Sequence, residues 1–192
     1  MRIDGHEKVE FGPLSFCQRD FPHSSTLIVK KAKGESPTSF DFDHEFSDQH
    51  KERHIYRYTN DGVLLDFEGA EVTCGGVAQT SETEFSPPQN KVQLPLRVGA
   101  RWSGEGGDEG RTEHYQAKVL RKEKLTVAGR TTQTFVIEIA IDMTGSERGR
   151  RFQRWWYSPN LALPVRWYEE IEAERSGATY QMEAMFTVVS LP

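Results

Sequence analysis

From about Ile55 to the end of the chain, apolar residues recur with a period of two, the signature of half-buried strands. The clearest run is Thr134 to Met143, where Phe135, Ile137, Ile139, Ile141 and Met143 alternate with Val136, Glu138, Ala140 and Asp142. One face of that strand is therefore buried. Turn residues punctuate the pattern at hairpin spacing: Asn60-Asp61-Gly62, Cys74-Gly75-Gly76, Ala128-Gly129-Arg130 and Ser176-Gly177. Pro87-Pro88 and the run from Gly104 to Gly110 mark longer loops. No convincing amphipathic helix interrupts the stretch, so it predicts a meander of eight or nine antiparallel strands. A sheet of that size curls into a barrel, half-barrel or sandwich. The expected fold class is all-β, a single curved antiparallel meander closed into a barrel or half-barrel, with residues 1–192 forming one domain. The first fifty residues are less regular. Ser25 to Lys31 reads as a strand and Gly34 to Ser39 as a loop, with residues 1–24 expected to be a loosely attached N-terminal segment.

Composition narrows the function classes. Only 36% of residues are apolar and 28% are charged, but 11% are aromatic, too many for a disordered chain. A formal charge of −5 gives no global basic field, which argues against nucleic acid as a partner. No window approaches the roughly 18 apolar residues of a membrane-spanning helix, so no integral membrane segment is expected. The opening MRIDGHEKVE carries charges of both signs where a signal peptide needs an apolar core. The expectation is a cytoplasmic protein, with the cell envelope as the alternative if an export signal was removed. Cys17 and Cys74 are too few for a disulfide framework, and the compartment argument favours two free thiols over one bridge.

The segment WWYSPNLALPVRWY, Trp155 to Tyr168, holds three tryptophans and two tyrosines around a proline-bounded loop. Pairing its two arms so that partner numbers sum to 322 sets Trp155 against Trp167, Tyr157 against Val165 and Arg151 against Ile171. The other face then sets Trp156 against Arg166, Arg154 against Tyr168, Arg150 against Glu172 and Arg148 against Glu174. Opposite charges and arginine–aromatic pairs are favourable cross-strand neighbours, so this register satisfies both halves of the hairpin. It sends Trp155 and Trp167 to the core and Trp156 to the charged face, and it makes the arginine cluster internally neutralised.

The stretch RRFQRWWYSPNLALPVRWYEEIEAERSGATYQMEAMFTVVSL resembles the last three strands of uncharacterised bacterial half-barrel proteins related in shape to the LolA-type lipoprotein carriers. LPLRVGARWSGEG and VAGRTTQTFVIEI are similar to upstream segments of the same proteins, and the likeness extends over residues 55 to 190. It implies a strongly curved antiparallel sheet, frequent export, a hydrophobic ligand groove and no catalytic residues to carry over. This chain departs from the pattern in showing no signal peptide and no lipobox cysteine near its start.

Other constellations compete with bland readings. His50 and His54, at i and i+4, would share a face of a helix, with His44, Asp43 or Glu45 as a third metal ligand, but neither an HExxH motif nor a calcium loop is present. GEGGDEG is too acidic to cradle a phosphate. Cys74 and His114 lack any local signature of a catalytic thiol. The resulting expectation is a non-enzymatic binding or structural module without a cofactor, holding an apolar small molecule or lipid in the concave face of the sheet. Trp102, Tyr115, Trp156 and Phe186 are the candidate lining residues. The alternative is an enzyme on the same sheet, a hydrolase or isomerase using His114 or a metal enzyme using His44, His50 and His54. A protein-interaction module presenting an edge strand is the third class.

Overall fold

The computed structural model describes residues 1–32 and 38–190. They contain thirteen strands: β1 (Arg2–Phe11), β2 (Leu14–Asp20), β3 (Thr26–Lys31), β4 (Ser39–Ser47), β5 (His50–Tyr58), β6 (Gly62–Cys74), β7 (Val77–Gln93), β8 (Arg101–Gly107), β9 (Arg111–Val127), β10 (Arg130–Gly145), β11 (Glu147–Ser158), β12 (Leu163–Arg175) and β13 (Ala178–Thr187). The expected all-β antiparallel architecture is present, but as two open sheets. One has eight strands in the order β2-β1-β13-β12-β11-β10-β9-β8, and the other has five, β3-β4-β5-β6-β7. Neither sheet closes on itself.

The turn signals fall where the chain reverses. Ala128-Gly129 and Ser176-Gly177 each place two consecutive residues at positive φ, the conformation of tight hairpin turns whose twist matches that of the strands they join. GEGGDEG forms the β8–β9 hairpin, where the Asp108 carboxylate accepts from the Gly110 and Arg111 amides. Pro87-Pro88 is a correction: it lies inside β7, not in a loop. β7 is an edge strand of the smaller sheet and its register with β6 breaks beside these residues, a place where missing amide donors are tolerated. The N-terminal segment is also corrected. All ten residues of β1 pair with β13, tying residues 1–24 into the larger sheet. The expected loop at 34–39 falls largely outside the described residues, apart from Thr38 and Ser39.

The β11–β12 register agrees with the sum rule from Arg148↔Glu174 through Trp156↔Arg166. Beyond Trp156 it slips by one, because a bulge follows that residue: Tyr157 faces Pro164 and not Val165, and Ser158 faces Leu163. Phe135, Ile137, Ile139, Ile141 and Met143 are all buried on one face of β10. They join a core to which both sheets contribute, with Phe46, Val63 and Val92 from the smaller sheet and Trp155, Ile171 and Phe186 from the larger. Trp156 lies on the opposite face of the larger sheet, buried in a second cluster with Val127, Val136, Val165 and Val188. Cys17 and Cys74 are bridged, not free, and join β2 of one sheet to the end of β6 of the other.

Candidate functional site

Strand parity puts ionisable residues between the sheets. Along β5, His50, Glu52, His54, Tyr56 and Tyr58 alternate onto the inward face, so i and i+4 share a face here through strand geometry, with Glu52 between the two imidazoles. A bulge at Asp66 shifts β6 by one residue, and Leu65 and Glu68 both end up buried. From the facing sheet, β11 contributes Arg151, Gln153 and Trp155, and β12 contributes Trp167 and Glu169.

These groups form a connected ionic belt across the interior. Glu7 meets the His50 Nδ1 at 2.9 Å, and the His50 Nε2 lies 3.2 Å from Glu52. The His54 Nε2 stands 3.8 Å from Glu52 and 3.7 Å from Glu68. Glu68 then accepts from Arg151 at 2.5 and 2.8 Å and from Arg111 at 3.0 Å. Arg111 also donates to Glu147 at 3.0 Å, and its Nε lies 3.0 Å from Glu113, which accepts from Gln89. On the other side of Arg151, its Nε is 3.3 Å from Glu169 Oε1, which also accepts from Gln153 at 3.0 Å. Lys91 donates to the side-chain Oε1 of Gln153 at 3.2 Å.

Burial among partners sets the charge states. For His50, burial opposes the charge, but hydrogen bonds to Glu52 and Glu7 prevail and push its pKa up to about 9. His54 is also raised: burial opposes the charge, and Glu68 and Glu52 outweigh it. His44 has no carboxylate in contact, so burial pulls it down to about 3 and leaves a neutral ring 2.9 Å from Ser25 Oγ. The carboxylates diverge. Burial would raise both Glu52 and Glu68, yet His50 holds Glu52 low, and Arg151 and Arg111 hold Glu68 well below the usual range. For Glu169 burial wins over Arg151, and its carboxyl is raised.

The belt separates two cavities. One, about 80 Å³, is walled by Phe42, Tyr56, Trp155, Tyr157 and Trp167 and floored by Glu52, His54, Gln153 and Glu169. Its rings meet edge to face, Phe42 on Tyr56 at 5.1 Å and Tyr56 on Trp155 at 6.0 Å. Leu27 and Val29 of β3, His44, Tyr58, Val63, and Leu163 and Pro164 at the start of β12 complete its lining. The other cavity, about 110 Å³, lies toward the disulfide between Val9, Cys74, Arg111, Arg175 and Tyr180.

None of the four candidate lining residues borders either of these cavities. Trp102 packs on the main core and donates from its indole nitrogen to the Asn90 carbonyl at 2.7 Å. Tyr115 is buried, and its hydroxyl accepts from the Asn90 amide at 3.1 Å. Trp156 donates to Glu123 at 2.8 Å on the far face of the sheet. Phe186 is fully buried, stacked on Trp167 at 4.8 Å. His114 is exposed beside Glu105, away from both cavities. His44, His50 and His54 do lie on neighbouring strands, but no group of three or more metal-ligating side chains is poised to hold an ion among the described residues. Both nitrogens of His50 are already occupied by carboxylates.

Of the residues that line the cleft, His44 and His54 are among the sequence candidates, as metal ligands; for those on the larger sheet the hairpin register carries the signal. It places Arg151, Gln153 and Glu169 on the same face as Trp155 and Trp167, which is a polar group at two successive core positions of β11 and at the β12 position opposite the second. No family model, curated protein or solved structure matches this chain. No helix among the described residues is long and apolar enough to cross a membrane.

Proposed function

We propose that the chain is a binding module that holds a small, largely apolar ligand in the aromatic cleft between its sheets. The observation that carries this reading is the cleft itself: six aromatic side chains, those of Phe42, Tyr56, Tyr58, Trp155, Tyr157 and Trp167, over a floor of a few orienting polar groups, the usual make-up of a ligand site. Its volume of about 80 Å³ favours a compact molecule or head group over an acyl chain, since an engineered cavity of about 150 Å³ holds one benzene. The Cys17–Cys74 bridge supports the envelope alternative, or another oxidising compartment, over the cytosol.

The test is native mass spectrometry of protein purified without added ligand, followed by ligand-observed NMR with a panel of small aromatic and branched aliphatic compounds. Binding of one or more compounds, lost when Leu27→Trp fills the mouth, is the expected result. A bare polypeptide that engages no member of the panel would overturn the reading. One observation favours an enzyme on the same cleft: Glu52 and Glu169 are pushed in opposite directions, the relation between a general base and a general acid. Turnover abolished by Glu169→Gln would bring that reading forward.

A further inference from the structure

We propose that the ligand of the aromatic cleft is an alkylated ammonium head group, seated against the ring faces and neutralised by Glu169. The inference rests on the cleft being a binding site and adds the chemistry of its occupant. Four observations on the cleft point the same way.

Charge comes first. Among the described lining residues, Glu52 and Glu169 are acids and His54 is the one cation, since His44 lacks a carboxylate in contact and no lysine or arginine is present. His54 is placed between Glu52 and Glu68, and Arg151 behind it is held by Glu68 and Glu169. Among the described residues that line the cleft, no unpaired cation is left to receive a carboxylate or phosphate, so an anionic ligand would be buried there without a partner.

Glu169 supplies the second observation. Its side chain is 9% exposed, and its Oε1 takes both contacts, from Gln153 and Arg151. Its other oxygen engages no partner among the described residues, although the residue lines the cleft. A buried carboxyl with one free oxygen at the bottom of an aromatic well is a receptor for a positive charge.

The walls are the third. Phe42, Tyr56, Trp155, Tyr157 and Trp167 offer π faces and edges around a space too small for a large apolar body. Ring faces attract cations most strongly where water is excluded, and aromatic cages of this make-up recognise methylated ammonium groups. The hydroxyls of Tyr56, Tyr58 and Tyr157 make no hydrogen bond among the described residues, so the well also presents oxygen dipoles that no other group uses.

Size is the fourth. A space of about 80 Å³ admits a few heavy atoms, so an ammonium head fits while the remainder of the molecule lies toward Leu27, Val29 and Leu163.

Seating a cation against Glu169 favours its ionised form. The carboxyl O–H bond breaks, the proton passes to solvent, and the carboxylate stays paired with the ammonium. The groups that face Glu169 are Arg151 on β11, Glu52 and His54 on β5, Glu68 on β6 and Lys91 on β7. Burial raises Glu169 in the empty site, so binding is coupled to proton release and affinity increases with pH through the range in which the free carboxyl titrates.

The experiment is calorimetric titration of the intact protein with choline and with its uncharged carbon isostere, neohexyl alcohol, in two buffers of different ionisation enthalpy. Near-UV circular dichroism checks that each variant is folded. Choline is expected to bind about tenfold or more tightly than the alcohol and to release a fraction of a proton. Glu169→Gln should abolish both the preference and the proton release while leaving the alcohol bound. Leu27→Trp should weaken both probes. Equal affinity for the two probes would overturn the ammonium inference and leave the cleft as a site for neutral molecules. Binding of neither probe by the folded protein would overturn the inference, and silence across the wider compound panel as well would remove the cleft reading beneath it.

Discussion

The β11–β12 hairpin carries the same kinds of residue on its two faces and uses them in opposite ways. On the outward face, Arg148 meets Glu174 at 2.8 Å with the arginine side chain 67% exposed, and Arg166 lies over the Trp156 ring at 5.7 Å. On the inward face, Arg151 meets Glu68 across the gap between sheets at 2.5 Å with both side chains under 10% exposed, and Trp155 and Trp167 line a cavity. Outward, the pairs join neighbours on one sheet, where water screens them. Inward, they join one sheet to the other, where each charge depends on its partner. An arginine and a glutamate thus serve as an exposed pair or as scaffold of a site according to parity alone, while the outward Trp156 packs into a buried cluster of its own.

The largest effect expected is at Arg151. Arg151→Met leaves Glu68 buried with one arginine fewer and should cost about 3–5 kcal/mol in urea unfolding. Adding Glu68→Gln to it should recover part of that loss, because the uncompensated charge is gone. A single variant as stable as the parent would break the contrast between the faces. The disulfide stands beside it in magnitude. Its closed loop spans a separation of 57 residues, and loop-closure entropy gives about 4 kcal/mol for such a bridge. Reduction should therefore lower the unfolding midpoint strongly, and an unchanged midpoint would mean that the ionic belt and the shared core hold the sheets together without it.

The belt also predicts a pH dependence that the outward face lacks. The pKa of His50 rises from 6.5 in the unfolded chain to about 9 in the fold, so its contribution is complete below pH 6.5 and is lost as pH climbs through 9. The shift corresponds to about 3 kcal/mol. Lys91 works against it at the upper end. Burial lowers its pKa to about 8, so it favours the fold increasingly above that pH and offsets part of the loss. Unfolding free energy should fall between pH 6.5 and 8, and His50→Gln should reduce that slope, leaving the part that His54 contributes. The same slope in the variant would place the titrating group elsewhere.

How much of this was legible in the sequence follows from the same parity. Alternation and turn residues are local, and they sufficed for most strands after Ile55, though not for β7, where Pro87-Pro88 reads as a loop, and also for the buried face of β10 and for the hairpin register as far as Trp156. The division into two sheets is not local. Nothing in the order of strands says that β3 to β7 leave the meander and fold across it, with β1 returning to pair with β13. The site depends on that facing. Glu68 meets Arg151 over a separation of 83 residues, and the bulge at Asp66 that turns Glu68 inward has no turn residue to announce it. The candidate lining residues are prominent aromatics, whereas the better signal is a polar residue at an inward position. Arg151, Gln153 and Glu169 each broke the alternation in a way that a core without a polar site has no reason to contain.

The smallest effect expected is on the outward face, and it sharpens the comparison most. Arg148 and Glu174 are directly opposed in the register and bonded through two guanidinium nitrogens, at 3.3 and 2.8 Å. By geometry alone they rival Arg151 and Glu68. What separates them is water: Glu174 is 45% exposed and Arg148 more so, and solvent competes for every hydrogen bond they make. A double-mutant cycle of Arg148→Ala and Glu174→Ala should give a coupling of about 0.5 kcal/mol or less, shrinking further in high salt. A cycle of Arg151→Met and Glu68→Gln should give several times that and hardly respond to salt. If the outward pair coupled as strongly as the inward one, contact geometry and not burial would govern the charges of this hairpin, and the charge state assigned to Glu169 at the floor of the cleft would lose its physical basis.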